Sequence, residues 1–196
     1  MRQFRTMNAE KKHKIYKLFK MLLSFKEQII EDFLVPSFIL NEGEIVILEI
    51  PNGVEFQKIS LRLIEILTEI CPEIKYVEHF KENSFFNKLF PTTIRQYLKR
   101  CNENSIYKNK IYEIEWMKPQ IKINSIAGSY RRLLSLYKTL TFTKNIIIDL
   151  VGVDPVGGIE IYKILKQNQK ENGSTILFDS CNEFEKDCTN SIRAKY

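Results

Sequence analysis

Gly43-Glu44-Ile45-Val46-Ile47-Leu48-Glu49-Ile50, followed directly by Pro51-Asn52-Gly53-Val54-Glu55-Phe56-Gln57-Lys58, is the stretch on which the reading of this chain turns. The first part predicts a buried strand over 44–49, apolar on both faces from Ile45 to Leu48. From Val54 to Ile70 the apolar residues Ile59, Leu61, Leu63, Ile64, Ile66 and Leu67 recur at mixed spacings of three and four, which predicts an α-helix buried along one side. A strand, a short loop and a helix in this order form the setting of a phosphate-binding loop. Such a loop needs glycines whose backbone N–H groups close on the phosphates, a Lys for the β- and γ-phosphate charge, and a Ser or Thr for Mg²⁺. Here Ile50, Glu55, Phe56 and Gln57 stand where Gly, Gly, Lys and Ser/Thr are expected. The frame of the loop is present and its chemistry is not.

Outward from that stretch, strand and helix signals alternate. Upstream, an amphipathic, Lys-rich opening (Lys11 to Phe25) leads to Phe33-Leu34-Val35-Pro36-Ser37-Phe38-Ile39-Leu40, which reads as one strand, and Asn41-Glu42-Gly43 supplies a turn. Downstream, Lys75-Tyr76-Val77-Glu78 reads as a short strand, and Thr92 and Thr93 offer an N-cap for a helix through Ile94, Tyr97 and Leu98. Residues 102–125 are polar and irregular, with Trp116 as an isolated anchor expected in the core. Gly128 then opens a helix over Tyr130 to Leu140, and Asn145-Ile146-Ile147-Ile148-Asp149 suits a central parallel strand that ends in an acid. Asp154-Pro155 supplies an N-cap and a first-turn Pro for a helix through Ile159, Ile161, Ile164 and Leu165, closed by Asn172-Gly173. Ser174 to Phe178 is a last buried strand. The alternation argues for an α/β fold with a largely parallel sheet.

At 196 residues the default is one domain spanning 1–196, with 44% hydrophobic and 28% charged residues, ample for a buried core. The net charge of +6 permits an acidic partner, anionic lipid or nucleic acid, but Lys and Arg are interleaved with Glu apart from Lys11-Lys12-His13-Lys14, so nucleic acid is not favoured. Cys71, Cys101, Cys181 and Cys188 form no C-x-x-C pair and have no His at ligand spacing; they read as buried free thiols, and no metal site is expected. No apolar run is long enough to span a membrane. Met1 to Ala9 carries Arg2 and Arg5 and no acid, which is compatible with a mitochondrial targeting start. Abundant Lys, Ile, Asn and Phe point to an AT-rich coding source such as an organelle, a protist or a reduced parasite.

In this order the pieces resemble the nucleotide-binding domain of ABC-type ATPases from about Phe33 to Ala194. Gly43-Glu44-Ile45-Val46 resembles the strand that feeds the family's phosphate loop, and Pro51-Asn52-Gly53 the middle of that loop. Ile74-Lys75-Tyr76-Val77-Glu78-His79 is similar to the strand carrying the family's Gln, with His79 at the Gln position, and Phe90 to Leu98 resembles the start of the helical subdomain. Ile126-Ala127-Gly128-Ser129-Tyr130-Arg131-Arg132 stands where the Leu-Ser-Gly-Gly-Gln signature is expected. Ile146-Ile147-Ile148-Asp149 resembles the magnesium-side acidic strand, and Gly152-Val153-Asp154-Pro155 the loop that crosses to a partner domain. Thr175 to Cys181 resembles the strand ending in the switch His, with Cys181 in its place. The modest length is most similar to small ATPase subunits of the haem-exporter type of cytochrome c maturation.

The resemblance implies a P-loop fold with a mixed, largely parallel sheet and antiparallel strands near the N-terminus. It also implies a basic extension with the first strands over 1–32 and a reduced helical subdomain over about 92–140. It further implies which chemistry has gone. Leu150 follows Asp149 where the family has a catalytic Glu, the Glu-Pro step is missing before Gly152, Phe56 replaces the Lys, and Ala127 and Ser129 replace the signature Ser and second Gly. Lys58 is a poor substitute for the Lys because Gln57 precedes it. Losing one preorganised charge-stabilising group typically reduces rate by about 10²–10³. The expectation is no catalytic residue, no bound cofactor and no metal. Asn52, Gly53, Phe56, His79, Gly128, Asp149, Asp154 and Cys181 are then vestigial motif positions. Asp149 is expected to be a hydrogen-bonded or capping acid, and Arg131 and Arg132 to make solvated or partner salt bridges. The expected role is a pseudo-ATPase serving as a structural or docking subunit of a larger assembly. Its expected place is mitochondrial, peripheral to the inner membrane, or otherwise cytoplasmic. The alternative is a divergent transporter ATPase subunit that binds ATP non-productively beside an active partner.

Overall fold

The computed structural model describes residues 20–81, 91–180 and 183–196. Its centre is strand β5 (Ile45–Glu49), which pairs in parallel with β8 (Thr175–Asp179) on one side and β9 (Asn190–Arg193) on the other. Beyond β8 lie β7 (Ile146–Asp149) and then β6 (Lys75–Tyr76), completing a five-stranded parallel sheet in the order β6-β7-β8-β5-β9. Successive side chains on a strand point to opposite faces. Ile45 and Ile47 therefore enter one core while Val46 and Leu48 enter another. The same split separates Ile146 and Ile148 from Ile147, and Leu177 from Ile176 and Phe178. Strands apolar at every position require cover on both faces, and both faces have it.

One face is covered by α1 (Val54–Ile70), which contributes Phe56, Ile59, Leu63 and Leu67. The other is covered by α3 (Gly128–Leu140) and α4 (Pro155–Lys170) through Leu133, Leu134, Leu136, Ile161 and Leu165. The short α2 (Ile94–Leu98) starts with a reciprocal capping box: Gln96 N–H donates to Thr93 Oγ1 at 3.3 Å and Thr93 N–H to Gln96 Oε1 at 2.8 Å. At the start of α4, Gly157 N–H donates to Asp154 Oδ1 at 2.9 Å and Pro155 occupies the first turn, as the sequence predicts. No described helix is long and apolar enough to cross a membrane.

Several expectations are corrected. The run Phe33 to Leu40 is two strands, β3 (Phe33–Val35) and β4 (Phe38–Asn41). Pro36 lies between them, with no N–H to continue a ladder. β3 pairs antiparallel with β2 (Gln28–Ile30), and β4 with β1 (Met21–Phe25), so the last residues of the Lys-rich opening are strand, with Leu23 and Phe25 turned inward. Residues 11–19 lie outside the described residues. The irregular stretch 102–125 carries two short 3₁₀ turns, Lys110–Glu113 and Ile123–Ser125, and still buries Tyr107, Ile111, Met117 and Ile123. Trp116 is not core: it is 46% exposed and packs edge-on against Tyr130 with ring centroids 4.9 Å apart. Cys71 and Cys101 are buried free thiols, Cys188 is only half-buried, and Cys181 lies outside the described residues.

The β2–β3 hairpin turns on Glu31 and Asp32, whose φ angles are +49° and +70°. Both need the left-handed region, which strains an L side chain by about 1–2 kcal/mol and which two-residue hairpins usually meet with Asn-Gly. Glu31→Asn with Asp32→Gly is therefore expected to stabilise the fold by about 0.5–1 kcal/mol after the added unfolded-state entropy of Gly. A urea midpoint that rises with unchanged m-value checks it, and an unchanged or lower midpoint contradicts it.

Candidate functional site

The loop after β5 does not present a phosphate cradle. Gly53 adopts φ +129°, and its N–H, the group such a loop would turn on a phosphate, donates instead to Asn52 Oδ1 at 2.9 Å. Two residues into α1, Phe56 is 9% exposed and packs in the core with Ile59, Leu63 and Phe178. A Lys at that position would reach for charge, whereas Phe56 anchors the helix to the sheet. Lys58 lies on the exposed side of α1, paired with Glu55 at 3.5 Å.

At the opposite end of the sheet's loop edge, Asp149 closes β7 and is 3% exposed. Its carboxylate accepts from four donors. Tyr76 Oη, from β6, donates to Oδ2 at 2.5 Å, and Arg132 Nη2, from α3, donates to the same oxygen at 3.2 Å. His79 Nε2, just past β6, lies 2.9 Å from Oδ1 and 3.2 Å from Oδ2, and Val151 N–H donates to Oδ1 at 2.9 Å. An ionised carboxylate only accepts, so the His79 proton sits on Nε2. Arg132 also donates through Nε to the Asp149 carbonyl at 3.0 Å and through Nη1 to the Val77 carbonyl at 2.6 Å. Its guanidinium lies 5.7 Å from the centre of the Tyr76 ring. One buried cation thus ties α3 to two neighbouring strands.

Burial pushes the Asp149 carboxyl up, but the His79 hydrogen bond, the Arg132 charge and the Tyr76 hydroxyl together outweigh it and bring the pKa down to about 2. Burial, with the adjacent Asp149 carboxylate, raises the Tyr76 phenol, which keeps it a donor at neutral pH. The expectation that Asp149 is a hydrogen-bonded acid agrees with this geometry. The expectation that Arg132 makes a solvated or partner salt bridge is corrected: Arg132 is 2% exposed and pairs with Asp149 within the chain. The signal was present in the sequence, because Arg132 precedes Leu136 and Leu140 at four-residue spacing and so lies on the buried side of α3. Tyr76, read as a core residue, is the partner that sequence reasoning missed.

The remaining motif positions form a second cluster. Ser129 donates to Asp154 Oδ2 and accepts from Asp154 N–H at 3.0 Å. The Ser129 hydroxyl and the Gly157 N–H hold the Asp154 carboxyl below its ordinary pKa. Gly128 sits so close to the Gly152 carbonyl that any side chain there would collide with it. His79, Gly128, Arg132, Val151 and Gly152 share a small cavity, so the stretches around the signature position and the crossing loop are brought together. Asn52, Gly53, Phe56, His79 and Asp149 line a larger cleft of about 1450 Å³, and Cys181 lies outside the described residues. A magnesium nucleotide fits these residues poorly. The metal would have to displace a donor from Asp149, and the start of α1 offers the phosphates Phe56 in place of a Lys, the cations of the cleft lying on other elements. Among the described residues no cluster of three His, Cys, Asp or Glu could hold a metal ion.

Three outcomes are expected. Arg132→Met leaves a buried carboxylate without its cation and destabilises by about 3–5 kcal/mol, read by urea unfolding; a loss below about 1 kcal/mol contradicts the pairing. Because the Asp149 carboxyl is lower in the fold than its ordinary value near 4, its contribution is complete above that value and is lost as pH falls towards 2. About 2 kcal/mol should disappear between pH 5 and pH 2 in the wild type, and an Asp149→Asn protein should lose less over the same range. Phe56→Lys, which restores the missing cation, should lower the melting temperature without creating ATP affinity, because its ammonium is buried against aliphatic side chains; calorimetric ATP binding by that variant contradicts the reading of Phe56 as an anchor.

No family model and no curated protein matches this chain. Solved structures do. A chain of an inward-facing ABC transporter assigned to the metal-chelate type superposes with a TM-score of 0.64 at 16% identity, covering 89% of this chain and 80% of that one. CbiO1 from Clostridium perfringens, part of the ABC transporter complex CbiONQ, gives 0.62 at 18% identity, with 90% and 85% covered. A nucleotide-free ATP-binding cassette from an ABC transporter gives 0.58 at 13% identity, with 88% and 89% covered. At these identities the likeness is one of fold, and the fold of this chain is that of an ABC-type ATP-binding domain.

Proposed function

We propose that this chain is a catalytically inactive, ABC-ATPase-like subunit that has a structural or docking role in a larger assembly. The observation that supports it best is the state of Asp149. Four internal donors occupy the acid expected to serve Mg²⁺ and join it to β6, β7 and α3. A carboxylate used in this way contributes to stability and is a weak ligand for an incoming ion. Phe56 in the core and Gly53 N–H turned onto Asn52 point the same way at the phosphate end. We place the assembly at a membrane, on the mitochondrial inner membrane by preference, with attachment running through protein partners. CbiO1, which shares the fold, is part of a transporter complex, and this chain is proposed to work in a complex in the same general sense.

The test has two arms. Purified protein with Mg-ATP should release phosphate no faster than the solvent blank and show no thermal protection by nucleotide. The native protein, recovered under mild detergent, should migrate in a complex well above its own 23.2 kDa, with companions identifiable by mass spectrometry. Turnover above the blank overturns the inactive reading. A stable monomer in cells overturns the docking reading. Nucleotide protection only in the presence of an intact ATPase partner would support the alternative subunit that binds ATP non-productively.

A further inference from the structure

The charge of this chain is not evenly distributed. Residues 91–140 hold ten Lys and Arg against three Glu, a net of +7, while the other 146 residues hold twenty against twenty-one, a net of −1. Within that region, Lys108 pairs with Glu103, Lys110 with Glu113 and Arg132 with Asp149. Arg95, Lys99, Arg100, Lys118, Lys122, Arg131 and Lys138 have no carboxylate within ion-pair distance among the described residues. A globular fold gains nothing by gathering unpaired cations on one region, since like charges repel. The excess therefore calls for an anionic ligand.

Three of these cations, with Lys81, line the large cleft, and the aromatic residues beside them define what kind of anion would fit. The segment after β6 contributes Phe80 and Lys81, the α2 segment Tyr97 with Lys99 and Arg100, and the end of α3 Lys138 with Phe142 just beyond. Each of three separate elements thus supplies an aromatic ring together with a cation. The set is contiguous: Phe80 packs edge-on against Tyr97 at 5.5 Å, and Lys138 Nζ lies 3.8 Å from the centre of the Tyr97 ring. Phe142 is 60% exposed. Gln57, Gln96, Asn52 and Thr92 add hydrogen-bonding groups to the lining, which also holds the carboxylates of Glu78 and Asp149, the latter paired with Arg132. A flat bilayer cannot enter a concave cleft. An acidic amphipathic helix needs charge and apolar surface on opposite walls, whereas here each of the three elements carries both. Phosphates and flat bases in succession match that pairing, and aromatic side chains among backbone-tracking cations are how single-stranded nucleic acid is held without sequence preference.

We propose that this cleft binds single-stranded nucleic acid, the phosphates resting on Lys81, Lys99, Arg100 and Lys138 and a base stacking on Phe142. The site is independent of the docking role proposed above and can fail or stand without it. It differs from the expectation, drawn from the interleaved charges along the sequence, that nucleic acid is not a favoured partner, and the test below decides between them.

The test is fluorescence anisotropy of a labelled twelve-nucleotide oligouridylate titrated with the full chain between 50 and 300 mM NaCl. Binding is expected at the lowest salt, with a log–log salt slope of about −3 for four phosphate contacts on a single strand. Lys99→Glu with Arg100→Glu should weaken binding more than tenfold and flatten the slope. Phe142→Ala should weaken it about tenfold with the slope unchanged, as loss of one stacked base would. Lys118→Glu with Lys122→Glu changes the same net charge outside the cleft and should have a small effect. All five substituted positions are exposed, so the variants should melt like the wild type. No binding at 50 mM NaCl overturns the proposal. So does an equal loss in both charge-reversal pairs, which would mean unspecific attraction. Full competition by polyglutamate, together with an unchanged Phe142→Ala protein, assigns the cleft to an acidic protein segment and overturns it as well.

Discussion

Asp149 ends a strand that is buried on both faces, and the carboxylate it carries there is stable only because four donors converge on it. Tyr76 and His79 come from the β6 segment, Val151 from the loop that follows, and Arg132 from α3. Taking a carboxylate and a guanidinium out of water is expensive, and their attraction offsets that expense only when the remaining donors and acceptors are also satisfied. Here Arg132 adds hydrogen bonds from Nε and Nη1 to the carbonyls of Asp149 and Val77. The edge strand β6 has only two residues in the ladder, Lys75 and Tyr76, so much of its attachment depends on this cluster. The position of the whole segment after β6, including the Phe80 and Lys81 rim of the cleft, follows from the same set of bonds.

The phosphate end of the sheet has changed in a parallel way. A functional phosphate loop turns its backbone N–H groups and its Lys towards the phosphates. In this chain Gly53 N–H is paired with its neighbour's side chain and Phe56 is folded into the core. Both changes relieve groups that would otherwise wait for a ligand. Groups at this end of the sheet are satisfied within the chain, and the fold superposes on ATP-binding subunits with TM-scores of 0.64 and 0.62 at 16% and 18% identity.

The parallel sheet and its helices were legible because their signals are local. Ile45 to Leu48 and Ile146 to Ile148 are apolar at every position, and α1 begins and ends where the apolar spacing does. The break at Pro36 was equally local and should have divided the run Phe33 to Leu40. The Asp149 cluster was only half legible. Its acid stands out at a strand end, but its partners lie 17, 70 and 73 residues away, and no single-sequence pattern joins them. Trp116 was misread for the opposite reason: a lone large aromatic in a polar stretch suggests an anchor, yet Met117 and Ile111 fill that role and leave the indole at the surface. The basic region has no continuous run of Lys and Arg, and shows only as an excess of ten cations over three Glu across residues 91–140.

Asp149 is proposed to be a structural acid and not a metal ligand. Its most direct test is a Mn²⁺ titration of the ¹⁵N- and ¹³C-labelled protein, with and without ATP, following the His79 ring and the Val151 amide by NMR. Both groups touch the carboxylate, so an ion bound there would broaden their signals beyond detection through paramagnetic relaxation. The account predicts that the signals keep their width and position at millimolar Mn²⁺. Selective, saturable broadening of His79 and Val151 at micromolar Mn²⁺ would contradict it and return Asp149 to the role of a metal ligand.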